Sequence, residues 1–116
     1  MKQNIILDKS FEFSLKIIEV YKLLTSEKRE FVMSKQLLRS GTSIGANCNE
    51  AVAAVSGKDF CNKMAIASKE ARETKYWLML LDKSDYYHDE KLMYQCEEII
   101  KIITSIVKTS SEKLRR

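Results

Sequence analysis

Residues 60–81, FCNKMAIASKEARETKYWLMLL, decide the fold class. Apolar or small residues recur there every three or four positions, at Phe60, Met64, Ala67, Ala71, Thr74, Leu78 and Leu81. This spacing places them along one side of an α-helix. Small residues in the middle of the row indicate that a neighbouring helix packs closely against it. The stretch therefore predicts a long amphipathic helix that buries one face.

Three further segments show helical periodicity, so helices are expected at about residues 8–25, 27–55, 57–83 and 89–109. Asp8 or Ser10 is expected to cap the first helix, and Ser56 the third, because their side chains accept from free N–H groups. Short connections between long helices require antiparallel neighbours. The sequence thus predicts an all-α protein with one domain, residues 1–116, folded as an antiparallel up-down-up-down four-helix bundle.

The composition agrees with this architecture. The 116 residues include no proline and three glycines, while 45% are hydrophobic and 31% are charged. So few turn-forming residues argue against a β-sandwich or barrel. No apolar run approaches the roughly 18–20 residues of a membrane span, and no secretory signal is visible. Three cysteines without metal-ligand spacing fit a reducing compartment, so we expect a cytoplasmic protein away from membranes.

The inward rows of the second and fourth helices follow from the same spacing. The fourth row comprises Leu92, Cys96, Ile99, Ile103 and Ile106, and the second comprises Phe31, Leu38, Gly41, Gly45, Cys48, Val52 and Val55. Each glycine costs about 1 kcal/mol in a helix interior relative to alanine. We therefore expect close approach of another helix there, with the third helix as the partner, or a local kink.

The first helix carries more apolar surface than one core requires. Its apolar residues spread over about 220° of the helix at about 100° per residue; they are Phe11, Phe13, Leu15, Ile17, Ile18, Val20, Tyr21 and Leu24. Loops could seal part of this surface. We favour coverage by a neighbouring subunit, and hence predict a homo-oligomer.

Polar residues share one face beside the core on the second and third helices: Arg39, Ser43, Asn47 and Glu50 on the second, and Glu70 and Glu73 on the third. If these two faces lie opposite one another, the pattern predicts a network in which each polar group has a partner, with Arg39 bound to Glu70 or Glu73. Because buried charges must be paired, we interpret the network as a structural contact that fixes the register of the second helix against the third. A ligand-binding or catalytic role is the open alternative.

Arrangements that support catalysis are not found in the sequence. A di-metal carboxylate site needs Glu-x-x-His, whereas Glu70 is followed by Glu73, and the single histidine, His88, falls in a loop where we expect it to cap the fourth helix. Cys48 and Cys96 occupy core positions, which leaves Cys61 as the candidate accessible thiol. The sequence predicts no enzyme, no metal and no cofactor.

Nucleic-acid binding is suggested by the charge. The net charge is +4, and residues 101–116 hold five basic residues and one acid. Candidate contacts are Lys58, Lys63, Lys69, Arg72, Lys108, Lys113, Arg115 and Arg116. The alternative is a solvated surface of mixed charge, because most have acidic neighbours. In an oligomer, however, a weak basic strip is repeated and becomes a multivalent phosphate-binding surface.

Two segments, residues 36–51 (QLLRSGTSIGANCNEA) and 69–77 (KEARETKYW), resemble the 23S rRNA intervening-sequence proteins, a bacterial four-helix-bundle family. The residues that carry the resemblance are Arg39, Ser43, Ile44, Asn47, Glu50, Glu70 and Glu73. This family is in turn similar to the accessory variability proteins of diversity-generating retroelements. The resemblance implies a homopentamer with a basic surface. We therefore predict a non-enzymatic homo-oligomer that binds RNA or other nucleic acid; the alternative is a scaffold or accessory subunit for a protein partner such as a reverse transcriptase.

Overall fold

The computed structural model describes residues 2–115, which form four α-helices: α1 (Lys2–Ser26), α2 (Met33–Val52), α3 (Gly57–Lys83) and α4 (Glu90–Leu114). Helix α2 packs on α1 and α3, and α4 packs on α3 and α1, whereas the diagonal pairs make no close backbone approach. The protein is an antiparallel four-helix bundle that measures 51 × 21 × 21 Å, which confirms the predicted fold class.

Helix α1 begins at Lys2, about six residues earlier than predicted. Its buried row is Ile6, Ser10, Phe13, Ile17, Val20 and Leu24, in which Ile6 and Ser10 continue the three- and four-residue spacing toward the N-terminus. Because Asp8 and Ser10 lie inside the helix, their predicted capping role is wrong. Ser10 is fully buried and its hydroxyl donates to the Leu7 carbonyl over 3.2 Å.

Helix α2 begins at Met33, six residues later than predicted, because residues 27–32 form a turn. Arg29 adopts a positive φ of 56°, and the Glu30 N–H donates to the Leu24 carbonyl over 2.9 Å, which closes the end of α1. The buried Glu30 carboxylate then accepts the N–H groups of Met33 and Ser34 at 3.0 and 2.7 Å. Glu30 therefore caps α2 from outside the helix.

The predicted inward row of α2 is only partly correct. The buried residues are Ser34, Leu37, Ser40, Gly41, Ile44, Gly45, Cys48 and Ala51, and Leu38 is half-buried against the core. Phe31 precedes the helix, Val52 is its last residue, and Val55 follows it. All three are exposed, Val55 by 95%. The correction follows from the shorter helix, which carries only its central turns along the core.

The two glycines of α2 face α1 and not α3, so the predicted partner is wrong although close approach is confirmed. A Cβ atom at Gly41 would lie 2.8 Å from Ile17 Cγ1, and one at Gly45 would lie 3.3 Å from Ser10 Oγ. Helix α3 contacts α2 on another side, where the Thr74 hydroxyl donates to Ser40 Oγ over 2.9 Å.

The core rows of α3 and α4 are as predicted, except that Phe60 is only half-buried against the core. Residues Met64, Ala67, Ala71, Thr74, Leu78 and Leu81 are buried on α3, as are Leu92, Cys96, Ile99, Ile103 and Ile106 on α4. Ser56 caps α3, accepting the Asp59 N–H over 3.1 Å. Helix α4 continues to Leu114, past the predicted end at about 109, and its last turn lies against the start of α3, where a Cβ on Gly57 would be 3.4 Å from Leu114 Cδ2.

Among residues 2–115, none of the helices has the combination of length and apolar character needed to cross a membrane.

Candidate nucleic-acid interface

The outward side of α3 carries a stripe with no acidic residue. Its members follow one another at alternating spacings of three and four residues, so they share one side of the helix. They are Asn62, Ala65, Lys69, Arg72, Tyr76, Met79 and Lys83. All but Ala65 are exposed to solvent. An α-helical side of this length without a carboxylate presents net positive charge to solvent.

A second stripe on α4 lies beside it, composed of Glu97, Lys101, Thr104, Lys108 and Ser111, and Arg115 follows directly after the helix. Arg72 Nη2 donates to Thr104 Oγ1 over 3.3 Å, and Lys75 Nζ lies 3.2 Å from Glu97 Oε2, which joins the two helices. We call the surface formed by Lys69, Arg72, Lys75, Lys101 and Lys108 the basic face. Glu97 is the one acidic residue within the two stripes.

Three lysines of the basic face, Lys69, Lys101 and Lys108, are exposed and form no ion pair with any part of the chain between residues 2 and 115. A phosphate group can therefore bind them without breaking an existing contact. A lysine that already holds a carboxylate would have to give up that partner first. The free lysines of the basic face are thus available to bind the phosphates of an anionic polymer.

The other predicted contact residues are distributed differently. Lys58, Lys113 and Arg115 are exposed at the end of the bundle where α3 begins and α4 ends. Lys63 faces α2 instead, where its ammonium group lies 2.8 Å from Glu50 Oε1. The hydrogen bond that Lys63 donates to Glu50 raises the pKa of Lys63 above its ordinary value. Lys63 is therefore apart from the basic face, and Arg116 lies outside the described residues.

The predicted polar network is divided into separate contacts. Arg39 Nη1 lies 3.1 Å from Glu70 Oε2, and Arg39 Nη2 binds Glu73. Ser43 and Asn47 instead donate to carbonyls of their own helix, over 2.6 and 2.8 Å, and Glu50 pairs with Lys63. The Arg39 side chain is 47% exposed. The predicted contact of Arg39 with Glu70 or Glu73 is therefore present, at the surface seam between α2 and α3. Ser43, Asn47 and Glu50 do not join it.

Two aromatic side chains extend this cluster toward the basic face. Trp77 Nε1 donates to Glu73 Oε2 over 2.9 Å, and the Tyr76 and Trp77 rings meet edge to face with centroids 5.4 Å apart. Tyr76 is 55% exposed. Neither Tyr76 nor Lys101 was among the contact residues predicted from the sequence. The signal that could have identified Tyr76 is its spacing. It follows Lys69 by seven residues and Arg72 by four, which places all three on one side of the helix.

The buried thiols are not suited to nucleophilic chemistry. Burial raises the pKa of Cys48 to about 11 and that of Cys96 to about 12, so both remain protonated near neutral pH. Cys61 is half-buried near the start of α3. In the described chain, no three thiol, imidazole or carboxylate groups converge so as to hold a metal ion.

His88 does not cap α4, because Asp89 does so by accepting the Leu92 N–H over 2.9 Å. The imidazole lies between two carboxylates of the α3–α4 turn, bound to Asp82 and 3.0 Å from Asp85 Oδ1. The hydrogen bond with Asp82 raises the pKa of His88 above its ordinary value. His88 is thus part of the turn and has no role in the basic face.

With this geometry established, comparison with known proteins identifies the family. The model of the 23S rRNA-intervening sequence proteins matches residues 2–105, which include the basic face except for Lys108. The chain belongs to the 23S rRNA-intervening sequence protein family. A search of curated proteins gives no match.

A solved structure from Bacteroides thetaiotaomicron, described as a protein with unknown function from the S23 ribosomal protein family, is similar to this intervening-sequence protein. The two chains are 52% identical, and the similarity covers 93% of this chain and 99% of the other. The TM-score is 0.90. The bundle described above is therefore shared with a protein closely similar in sequence.

Proposed function

We propose that this intervening-sequence protein is a non-enzymatic homo-oligomer that binds RNA through the basic face. The observation that carries the proposal is the set of exposed, unpaired lysines on that face, Lys69, Lys101 and Lys108, beside Arg72. Cations on a continuous surface bind phosphates and release counterions, which gives binding that weakens as salt rises.

Oligomerisation strengthens this proposal, because the few cations of one subunit give weak binding that repetition amplifies. The outward side of α1 carries an apolar stripe formed by Leu7, Phe11, Leu15 and Ile18. Phe11 is 63% exposed and Leu15 is 50% exposed, so this chain leaves them uncovered. Helix α1 is diagonally opposite α3. Subunits joined through the apolar stripe would therefore leave their basic faces accessible.

The proposed RNA binding is tested by fluorescence anisotropy with a labelled RNA at several salt concentrations. The triple variant Lys69→Gln, Arg72→Gln, Lys101→Gln is expected to bind at least about tenfold more weakly, with a salt slope reduced by about one for each phosphate contact removed. A charge-matched control replaces Lys22, Lys28 and Lys91, which are exposed elsewhere, with glutamine. Equal losses in both triples would contradict the assignment of the basic face.

Light scattering tests the oligomer. The homopentamer implied by the family resemblance would have a mass about five times the 13.5 kDa of one chain. The double variant Phe11→Ser, Leu15→Ser is expected to dissociate while remaining folded, because both residues are exposed in the single subunit. Tyr94, 68% exposed on α4, provides the control as Tyr94→Ser. A monomeric wild-type protein would contradict the oligomer.

The apolar stripe also supports a second candidate function, that of an accessory subunit whose stripe binds another protein, such as the reverse transcriptase of a related retroelement. Exposed, contiguous apolar residues on one helix are typical of protein interaction sites. A monomer that binds no RNA would favour this candidate over the first.

A further inference from the structure

We propose that the basic face binds unpaired, single-stranded RNA, with one base stacked on the ring of Tyr76. The inference deepens the proposed RNA binding and rests on it. What it adds is the class of RNA and the residue that distinguishes that class.

The position of Tyr76 is the first reason. It lies on the same outward stripe of α3 as Lys69 and Arg72, and it is 55% exposed. Seven residues separate Lys69 from Tyr76, which is about 10 Å along the helix at about 1.5 Å per residue. A strand of a few nucleotides can therefore place its phosphates on Lys69 and Arg72 while one base covers the Tyr76 ring.

The surroundings of Tyr76 are the second reason. The edge-to-face contact with Trp77 supports one side of the Tyr76 ring. Trp77 is in turn held by Glu73, and Glu73 is bound by Arg39. A ring already restrained by its neighbours loses less conformational freedom when a base stacks on it. The Arg39 cluster thereby acquires a positioning role in addition to its contact between α2 and α3.

The nature of the nucleic acid follows from the chemistry of stacking. In a duplex the bases are already paired and stacked, so a surface tyrosine has no free base to contact, and an A-form helix presents chiefly phosphates and 2′-hydroxyls. In a single strand each base offers a free face, and stacking on an aromatic ring contributes to affinity whatever the sequence. A surface built for duplex RNA alone would gain nothing from Tyr76.

The test compares two labelled RNAs with equal numbers of phosphates, an unstructured single strand and a perfect hairpin, by fluorescence anisotropy at one salt concentration. The wild-type protein is expected to bind the single strand about tenfold more tightly. Tyr76→Ala is expected to lose about tenfold for the single strand and nothing for the hairpin. Tyr76→Phe retains the ring and should retain affinity. Tyr86→Ala provides a control at another exposed tyrosine, which lies in the turn after α3 and outside both stripes.

A second readout uses Trp77, the one tryptophan of the chain. Single-stranded RNA should change Trp77 fluorescence in the wild-type protein and in Tyr76→Phe, but not in Tyr76→Ala. Tyr76→Leu keeps apolar volume without a ring, so it separates loss of stacking from any loss of packing, and it should behave as Tyr76→Ala does.

The possible failures differ for the two proposals. Equal binding of the hairpin and the single strand, or unchanged single-strand affinity in Tyr76→Ala, would overturn the inference and leave RNA binding by the basic face intact. Absence of salt-sensitive binding to either RNA would overturn the proposed function and the inference together.

Discussion

The half of the bundle formed by α1 and α2 differs from the half formed by α3 and α4 in how its helices meet. In the first half, Gly41 lets α1 approach so closely that no Cβ fits against Ile17. In the second half, long polar side chains cross the outer seam, as Lys75 does to reach Glu97. The helices of the first half meet through close packing, whereas those of the second half are also joined by charged side chains at the surface. The difference teaches that one bundle can separate the residues needed for stability from those available for binding.

The largest expected effect on stability concerns Gly41. Helix propensity alone predicts that Gly41→Ala stabilises the protein by about 1 kcal/mol. We expect the opposite sign, a loss of about 1–3 kcal/mol, because the new Cβ would lie 2.8 and 2.9 Å from two carbon atoms of Ile17 and force the core to shift. The measurement is the free energy of unfolding in urea.

Gly57 supplies the matched control for this substitution. A Cβ there would lie 3.4 Å from Leu114 Cδ2, which is ordinary contact. Gly57→Ala should therefore leave the free energy of unfolding within about 0.5 kcal/mol of the wild type. Equal stability of the two alanine variants would show that a Cβ at Gly41 is tolerated as well as one at Gly57. Close packing of α1 on α2 would then not be what distinguishes the first half of the bundle.

A smaller effect is expected at Glu30, where the connection between α1 and α2 caps a helix. Burial acts to raise the pKa of Glu30, but N–H groups of Met33, Ser34 and Val32 donate to the carboxylate and hold the pKa below its usual 4.5. Glu30→Gln is expected to cost about 1 kcal/mol at neutral pH, as loss of a cap does.

The pH dependence provides the test of that charge. A carboxylate with a lowered folded-state pKa stabilises the protein fully above its unfolded value, and this contribution disappears as pH falls through the folded value. The stability difference between wild type and Glu30→Gln should therefore be constant near neutral pH and shrink well below pH 4.5. Glu27, exposed one turn earlier, is the control as Glu27→Gln. A difference that persisted in acid would exclude the carboxylate as its source.

The smallest effect is expected at the seam between α3 and α4. The Lys75 and Glu97 side chains are 39% and 45% exposed, so water screens their attraction. Lys75→Gln should change the free energy of unfolding by less than about 1 kcal/mol. A loss as large as that of Gly41→Ala would show that charge stabilises the second half as much as close packing stabilises the first.

The sequence predicted the core best where apolar residues alone form the row. On α4 the buried residues are those of an uninterrupted apolar pattern, and they were predicted correctly. On α2 the buried face also contains Ser34 and Ser40, whose polarity conceals their burial. Arg29 has a positive φ and Glu30 caps from outside the helix; neither residue type is the usual signal for its position, so the start of α2 was misplaced.

The candidate site was predictable in part for a related reason. Periodicity assigns a residue to a side of its helix, and this was sufficient to bring Arg39 to Glu70 and Glu73. It does not determine which neighbouring helix that side meets. For this reason the glycines were assigned to α3 instead of α1, and Lys63 was grouped with lysines that lie on another side of α3. Tyr76 was overlooked because an aromatic residue on an outward stripe has no core role.

Burial of two of the three cysteines has a practical consequence. Because Cys48 and Cys96 are enclosed in the core and remain protonated, the half-buried Cys61 is the thiol that a maleimide dye can reach in the folded protein. Cys61 lies two turns before Lys69 on α3. The natural sequence therefore offers a single labelling position beside the basic face, from which energy transfer to a dye on the RNA could report the direction in which the strand runs.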